Sequence, residues 1–476
     1  MKHLHLLLLI AAMAGCTAAG PDYRRPQTDI PAAWRSTLPA QGEPGPNAWW
    51  QSYADPVLSG LIDQAIATNR DVLLATARID QYLALMATSR SRSFPQIGYA
   101  LGANRQDTGL NPLSGTDSPA YTTVQAGLNV AWELDLWGRL HRADEAARAQ
   151  VLASEEERRG VLVSLVGNVA ASYILLRGYD RQLQIARETK RSYEETRRIF
   201  RLRHHHGTIS GVELKQVESQ YEQAAQTIPR IESLITQQEH LLSILLGENP
   251  GPIPRGKQLH DLDVLPFPAA LPLSLLERRP DIRRAEYELM AANARIGEAK
   301  ALYFPTISLS GLLGRQSGEL TDLFRSGAGF WSLGGTVAGS LITFGGVSGQ
   351  VAQAEALARQ AVLRYEQTIQ AAFREVEDAL VGTLKSREQL QAQQRQIESL
   401  TEYTRLSRLT FESGTTSYLQ VLDAERTLFS AQLDLVQTHV NLLTSTIDLY
   451  RAFAGDWVKP DAPGMKGLLE TGQGNL

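Results

Sequence analysis

Val124-Gln-Ala-Gly-Leu-Asn-Val-Ala-Trp-Glu-Leu134 is the stretch on which the fold turns. Val124, Ala126, Leu128, Val130, Trp132 and Leu134 alternate with Gln125, Gly127, Asn129, Ala131 and Glu133. A period of two with one apolar and one polar or small face marks a half-buried strand. Eleven residues is also the length of a tilted strand that crosses a bilayer. An upstream partner carries Ile97, Tyr99, Leu101 and Ala103. Two further segments repeat the pattern, with Ile307, Leu309, Gly311 and Leu313, then Trp331, Leu333, Val337 and Leu341. Strands are thus expected near 96–105, 122–135, 305–314 and 330–343. The loops 106–120 and 315–329 are rich in Gly, Ser, Asp and Pro, as exposed loops are. An ordinary sheet with one face on a core is the alternative, but no neighbouring segment offers an apolar surface to cover it. Lipid tolerates no open sheet edge, so four strands must close with those of other copies. Two copies give eight strands, filled by side chains. Three give twelve, the smallest closure with an open bore, so passage through the sheet implies a homotrimer.

Outward from the strands, the chain proves to be written twice. Phe94-Pro95-Gln96-Ile97 recurs as Phe304-Pro305-Thr306-Ile307, and Asn69-Arg70-Asp71 as Arg279-Pro280-Asp281, both 210 residues on. Trp137-Gly138 matches Phe344-Gly345, and Gly207-Thr208 matches Gly414-Thr415, both 207 residues on. One repeat covers 56–246 and the other 273–455, joined by a Pro/Gly-rich linker over 247–272. In each, a helix (56–92; 273–302) stops at Phe-Pro, because proline cannot continue it. Two strands follow, then a long helix (139–203; 346–411), a glycine-marked tip (204–210; 412–417) and a shorter helix (211–246; 418–455). At 1.5 Å per residue the long helices reach roughly 100 Å, which suits a wall rather than a globule. Val362, Tyr365, Ile369, Phe373, Val376, Leu380 and Leu384 step by 3, 4, 4, 3, 4, 4. That eleven-residue period suits nearly straight helices packed on both sides, not a tight left-handed coiled coil. Pro229 is expected to kink its helix, whereas the counterpart Val436 is not.

Composition narrows the function. The 476 residues carry a formal net charge of -4 and are 43% hydrophobic, so no basic field invites nucleic acid. No run approaches the ~20 apolar residues of a spanning helix. The single cysteine, Cys16, permits no intrachain disulfide. Lys2, the apolar stretch Leu6 to Ala14 and the small residues before Cys16 form a signal peptide over 1–15. Cys16 in that place resembles the lipobox of bacterial lipoproteins, and Thr17 is not the retention-type Asp, which points to the outer membrane. No metal or other cofactor is expected, only a covalent lipid on Cys16. His204-His205-His206 do not share a helix face and suit a hydrated helix end rather than a zinc site. No GxSxG, HExxH, Walker loop or Cys-His pairing appears, so no enzyme activity is expected.

Gly20 to Pro26 (GPDYRRP), Trp49-Trp50, Asp55-Pro56, Trp132 to Leu140 (WELDLWGRL), Arg278 to Ile282 (RRPDI), Tyr303 to Gly311 (YFPTISLSG) and Leu422 to Gln432 (LDAERTLFSAQ) occur in that order. Together they resemble the NodT-type lipoproteins of the TolC-like outer-membrane efflux family, over nearly the whole mature chain. The resemblance implies a mainly α chain with membrane β-structure. It implies a homotrimer whose 12-stranded outer-membrane β-barrel continues into a 12-helix periplasmic α-barrel. It also implies an equatorial region, on which the segment 16–55 packs, and a tail over 456–476. The implied partners are outer-membrane lipid, a periplasmic adaptor and an inner-membrane pump. The implied adaptor-contacting tips are Gly207, Thr208 and Ser210, and Gly414, Thr415 and Ser417. The implied pore gate is Asp423, Gln420 and Thr416. Gln420 stands where relatives hold an aspartate, which weakens the charge ring of Asp423, and Thr416 replaces a charged residue. A duct for polypeptide secretion shares this fold, and a pore-less coiled-coil scaffold shares the helices alone. Cys16→Ala is expected to abolish labelling by radioactive palmitate; labelled lipid persisting in that variant contradicts the anchor.

Overall fold

The computed structural model describes residues 18–31, 33–36, 48–107, 120–265 and 278–453; Cys16, much of the first strand loop, residues 266–277 and the C-terminal segment lie outside them. A short 3-10 turn at Trp49–Tyr53 precedes α1 (Pro56–Thr68) and α2 (Arg70–Ser91). Then come β1 (Gln96–Gln106), β2 (Tyr121–Leu134), α3 (Arg139–His205) and α4 (Gly211–Leu245). The second half has α5 (Pro280–Ala301), β3 (Thr306–Ser317), β4 (Gly329–Ala338), α6 (Gly346–Glu412) and α7 (Tyr418–Ala452). The duplication is metrical: α3 and α6 both have 67 residues, α4 and α7 both 35.

Three expectations change. The helix over 56–92 is two helices, because Asn69 turns extended and its side chain works on both sides. Its Oδ1 accepts from the Asp71 and Val72 amides, starting α2, while Nδ2 donates to the Leu245 carbonyl. β4 stops at Ala338 instead of reaching 343, since its partner β3 begins at Thr306 after Pro305, which has no N–H to donate. Finally, α3 does contain an 18-residue window of mean hydropathy 1.6, apolar enough to cross a membrane by composition. More than half of that window is buried in the chain itself, through Leu162, Val166, Val169, Tyr173 and Ile174. It is core. α4 runs unbroken through Pro229.

The chain divides into two compact units. The first comprises Met1–Thr28, Ala77–Glu155 and Arg284–Gln367 and holds the sheet. It is an antiparallel meander in the order β1-β2-β3-β4, leaving β1 and β4 as edges among the described strands. Its register sorts the side chains. Tyr99, Leu128, Leu313 and Trp331 align in one row, Ile97, Val130, Gly311 and Leu333 in another, and Leu134, Ile307 and Val337 in a third. The opposite face carries Gly98, Asn129, Leu312 and Ser332, and Glu133, Ser308 and Thr336. The largest side chains of these rows are bare, with Tyr99 81% exposed, Trp331 75% and Leu333 78%, while Val130, Leu134 and Ile307 are half-buried.

Where β2 meets α3, the stretch Trp132 to Leu140 explains itself. Glu133 takes a two-pronged grip from Arg139, and the Asp135 carboxylate accepts the Leu140 and His141 amides at the helix start. Trp137 stacks on Phe304 at 4.7 Å and donates to the Pro305 carbonyl. The N-terminal segment lies here as a strap. Ala19 N–H donates to the Trp137 carbonyl, Asp22 pairs with Arg142, and Tyr23 and Arg25 both reach Glu286. Gly20, at φ +94, passes so close to Gly297 that a Cβ on either would strike backbone.

The second unit comprises Asp29–Thr76, Glu156–Arg283 and Thr368–Leu476. Its main core joins Trp49, Trp50 and Tyr53 to Leu58, Ile62, Val166, Tyr173, Leu443 and Ile447. Asp55, 1% exposed, sits at the junction. It caps α1 through the Val57 and Leu58 amides, accepts from Tyr173 Oη at 2.9 Å, and takes the Lys257 amide of the linker. Trp34 packs against Phe373 and Phe453.

The row assignment predicts a face-specific cost. Leu313→Arg should destabilise the bilayer-embedded protein by about 2–4 kcal/mol, and Leu312→Arg, one residue along, by less than about 1 kcal/mol. Urea-induced unfolding in lipid measures both; equal costs contradict the assignment.

The paired helix tips as candidate functional site

Both hairpin tips lie in the second unit, and they share a design. Gly207 at φ +72 ends α3, its amide donating to the His204 carbonyl and that of Thr208 to the Arg203 carbonyl. Gly414 at φ +78 ends α6 in the same way, with donors Gly414 and Thr415 on Phe411 and Thr410. Only a residue without Cβ takes this left-handed turn at no steric cost. The threonine hydroxyls, Thr208 on Arg203 and Thr415 on Thr410, add a bond of 2.8 Å each.

The restarts differ. Ser210 accepts the Glu213 amide while the Glu213 carboxylate accepts the Ser210 amide, a complete capping box. Ser417 caps α7 without any side-chain hydrogen bond. Thr416 instead reaches back to Thr410 Oγ1 at 3.2 Å.

Between the tips is an aromatic knot. Phe200 lies 4.2 Å from Tyr418, and Phe411 lies 4.9 Å from Tyr418, with Val217, Val421 and Leu422 around them. The Arg203 guanidinium covers Phe200 and Phe411 at 5.9 and 5.8 Å. Burial holds the Tyr418 hydroxyl well above its ordinary pKa. Sequence reasoning missed this knot, because its members are scattered over four helices and look like separate apolar positions.

Gln420 and Asp423 are exposed and one helical turn apart on α7, whereas Thr416 precedes that helix and is half-buried. Asp423 is not a bare carboxylate: Arg426, one turn on, donates to it at 3.0 Å. The expected ring of facing acids is therefore already tempered within each chain, by a residue whose i,i+3 spacing was readable. His205 and His206 rings are 5.5 Å apart at the end of α3. No group of three His, Cys, Asp or Glu side chains able to hold a metal occurs among the described residues.

The pattern that defines outer membrane efflux proteins matches residues 61–248 and 271–455, one match for each repeat. The chain belongs to the outer membrane efflux protein family. It is 34% identical over 456 residues, 94% of this chain and 98% of the other, to a probable outer membrane lipoprotein, SilC, of Salmonella typhimurium. It is 34% identical to the toluene efflux pump outer membrane protein TtgF of Pseudomonas putida, covering 96% and 97%. The open-state outer membrane channel MtrE of Neisseria gonorrhoeae superposes with a TM-score of 0.83 at 28% identity, over 92% of this chain and 98% of that one. The protein is thus an outer-membrane component of an efflux pump, a conduit and not an enzyme.

The unequal caps give a local prediction. Ser210→Ala should lower the protection of the first α4 amides against hydrogen exchange by about 1 kcal/mol, and Ser417→Ala should barely change those of α7. Equal losses contradict the difference.

Proposed function

We propose that three copies of this chain close their sheets into a 12-stranded outer-membrane barrel, continued by a 12-helix periplasmic barrel, and that small toxic organic compounds leave through it. The observation that carries this reading is the sheet register: a bare apolar face, a small and polar face, and edges at β1 and β4. A lipid-embedded sheet with such edges has to pair β4 of one copy with β1 of the next. Twelve strands then leave a bore lined mostly by Gly, Ser, Thr and Asn, with Glu133 and Leu312 among them.

In this reading α7 lines the helical barrel. Gln420, Asp423, Thr427, Ser430, Asp434, Gln437, Asn441 and Asp448 follow each other at helical spacing along its exposed or half-buried side. Three of these are acids and none is basic. Small cations pass such a stripe more easily than anions, while uncharged drugs meet no specific site. Substrate choice then rests with the inner-membrane pump, reached through a periplasmic adaptor that grips the tips at Gly207, Thr208 and Ser210 and at Gly414, Thr415 and Ser417. Thr416, Gln420 and Asp423 form the gate, with Arg426 as its counter-charge. The lipid on Cys16 anchors the start of the strap to the membrane. The relatives' names, which speak of toluene, solvent and antibiotic efflux, support small organic cargo.

Purified protein in a planar bilayer tests the reading. Wild type should give ion-conducting steps with cation preference; Asp423→Ala should lower that preference, and Arg426→Ala should raise it. Deletion of the gene should sensitise cells to a panel of antibiotics, dyes and solvents, and the plasmid-borne gene should reverse this. Silence in the bilayer together with unchanged sensitivity contradicts the duct.

A further inference from the structure

The duplication extends to an ion pair, and the two copies have diverged. In the first hairpin Arg201 of α3 donates to Glu218 of α4 at 2.9 Å. In the second, 207 residues on, Arg408 of α6 donates to Glu425 of α7 at 2.6 Å. Both arginines are about half exposed, 55% and 50%. The carboxylates differ. Glu218 is shared with a second cation, Lys215, at 2.8 Å, and the two cations hold its carboxyl below the usual range. The position equivalent to Lys215 is Leu422, buried in the aromatic knot.

Glu425 is therefore served by one cation from one side. Its side chain is 5% exposed within a single chain, so its burial needs no neighbouring copy. Its Oε2 is buried without a hydrogen-bond partner. It borders a cavity of about 260 Å³ that is also lined by Thr196, Phe200, Arg203, Arg408 and Tyr418. The groups packed around it are Tyr193 and Arg203 of α3, Gln220 of α4, Arg408 and Glu412 of α6, and Tyr418 of α7. Burial pushes the Tyr193 hydroxyl up to about 12, so neither tyrosine is an alternative proton source near neutrality.

We propose that Glu425 is a proton-sensitive gating residue: protonated, it holds the second hairpin packed on the first, and ionised, it favours release of the tip. The inference rests on the duct reading above. Burial raises the Glu425 carboxyl above the usual carboxylate range, and the Arg408 guanidinium only partly offsets that. The sign follows. A carboxyl that is harder to ionise when packed than when hydrated takes up a proton more readily in the packed tip, so acidification stabilises packing. The opposing penalty is fully present above the packed-state pKa and vanishes below the hydrated one. The packed-to-released ratio changes by up to about tenfold for each unit between those two values. Charge removal at Glu425 leaves Arg408 with its solvent contact, so it does not strand a buried cation. The first hairpin has no such dependence near neutrality, because Glu218 stays ionised there.

The experiment is single-channel recording of the full-length assembled protein between pH 5 and 8. Wild-type open probability should rise with pH. Glu425→Gln should hold it low and flat, whereas Glu425→Asp should keep the rise. Arg408→Gln strands the carboxylate and should raise the open probability at pH 8 several-fold over wild type. Glu218→Gln should match wild type. A simple latch, in which the ion pair locks the tip, demands the reverse: Glu425→Gln would open the channel at neutral pH. That result, or an unchanged pH dependence in Glu425→Gln, overturns the proposal and leaves the duct standing. A wild-type chain that never conducts overturns the duct, and the gate with it.

Discussion

A bilayer core offers no water to unpaired backbone groups, and the rest of this structure answers to that constraint. Four strands cannot satisfy it alone. The large apolar side chains of one sheet face, from Tyr99 in β1 through Leu128 and Leu313 to Trp331 in β4, are exposed within the chain. The amides and carbonyls along the outer sides of β1 and β4 need a strand each. In the proposed trimer they find it in other copies of the same chain, and closure of the sheet dictates how many helices the assembly holds. The duplicated chain follows from the same economy, since β2 and β3, which belong to different repeats, pair directly across eleven positions.

Duplication usually suggests equivalence, yet the two hairpins differ in their caps and in their ion pairs. The equal helix lengths and equal glycine turns keep the two hairpins in step. The first tip has a complete capping box and a doubly supported Glu218, and the second has neither. A buried carboxylate with one cation is a costly thing to keep, since desolvation offsets most of what the pair gains. Its position beside the aromatic knot, where the two hairpins pack on each other, gives that cost a use in the proposed gate. Asp423, two residues earlier and exposed beside Arg426, faces a different environment and has a different part to play.

Much of this was legible in the sequence. Period-two alternation located the strands, because alternate residues of a half-buried strand meet different media, and Phe-Pro located the ends of the preceding helices. Gly207 and Gly414 announced the tips. Less legible was whatever depended on long-range contact. Asn69 breaks a helix only because Leu245 offers it a carbonyl. Gly20 to Arg25 form a recognisable motif, but nothing local reveals that Gly297 and Glu286 are its seat. In Leu422-Asp423-Ala424-Glu425-Arg426, the charge pattern reads as a solvated helix face. Which acid is exposed and which is buried depends on three other helices, and that the pattern does not state.

The central claim is that this sheet is one third of a barrel, and the most direct measurement is the number of chains in the detergent-purified particle by native mass spectrometry. The account predicts three, with a disulfide between engineered cysteines on β1 and β4 linking different chains and not the same one. A monomeric particle, or a dimer whose two sheets already satisfy each other's edges, would contradict it.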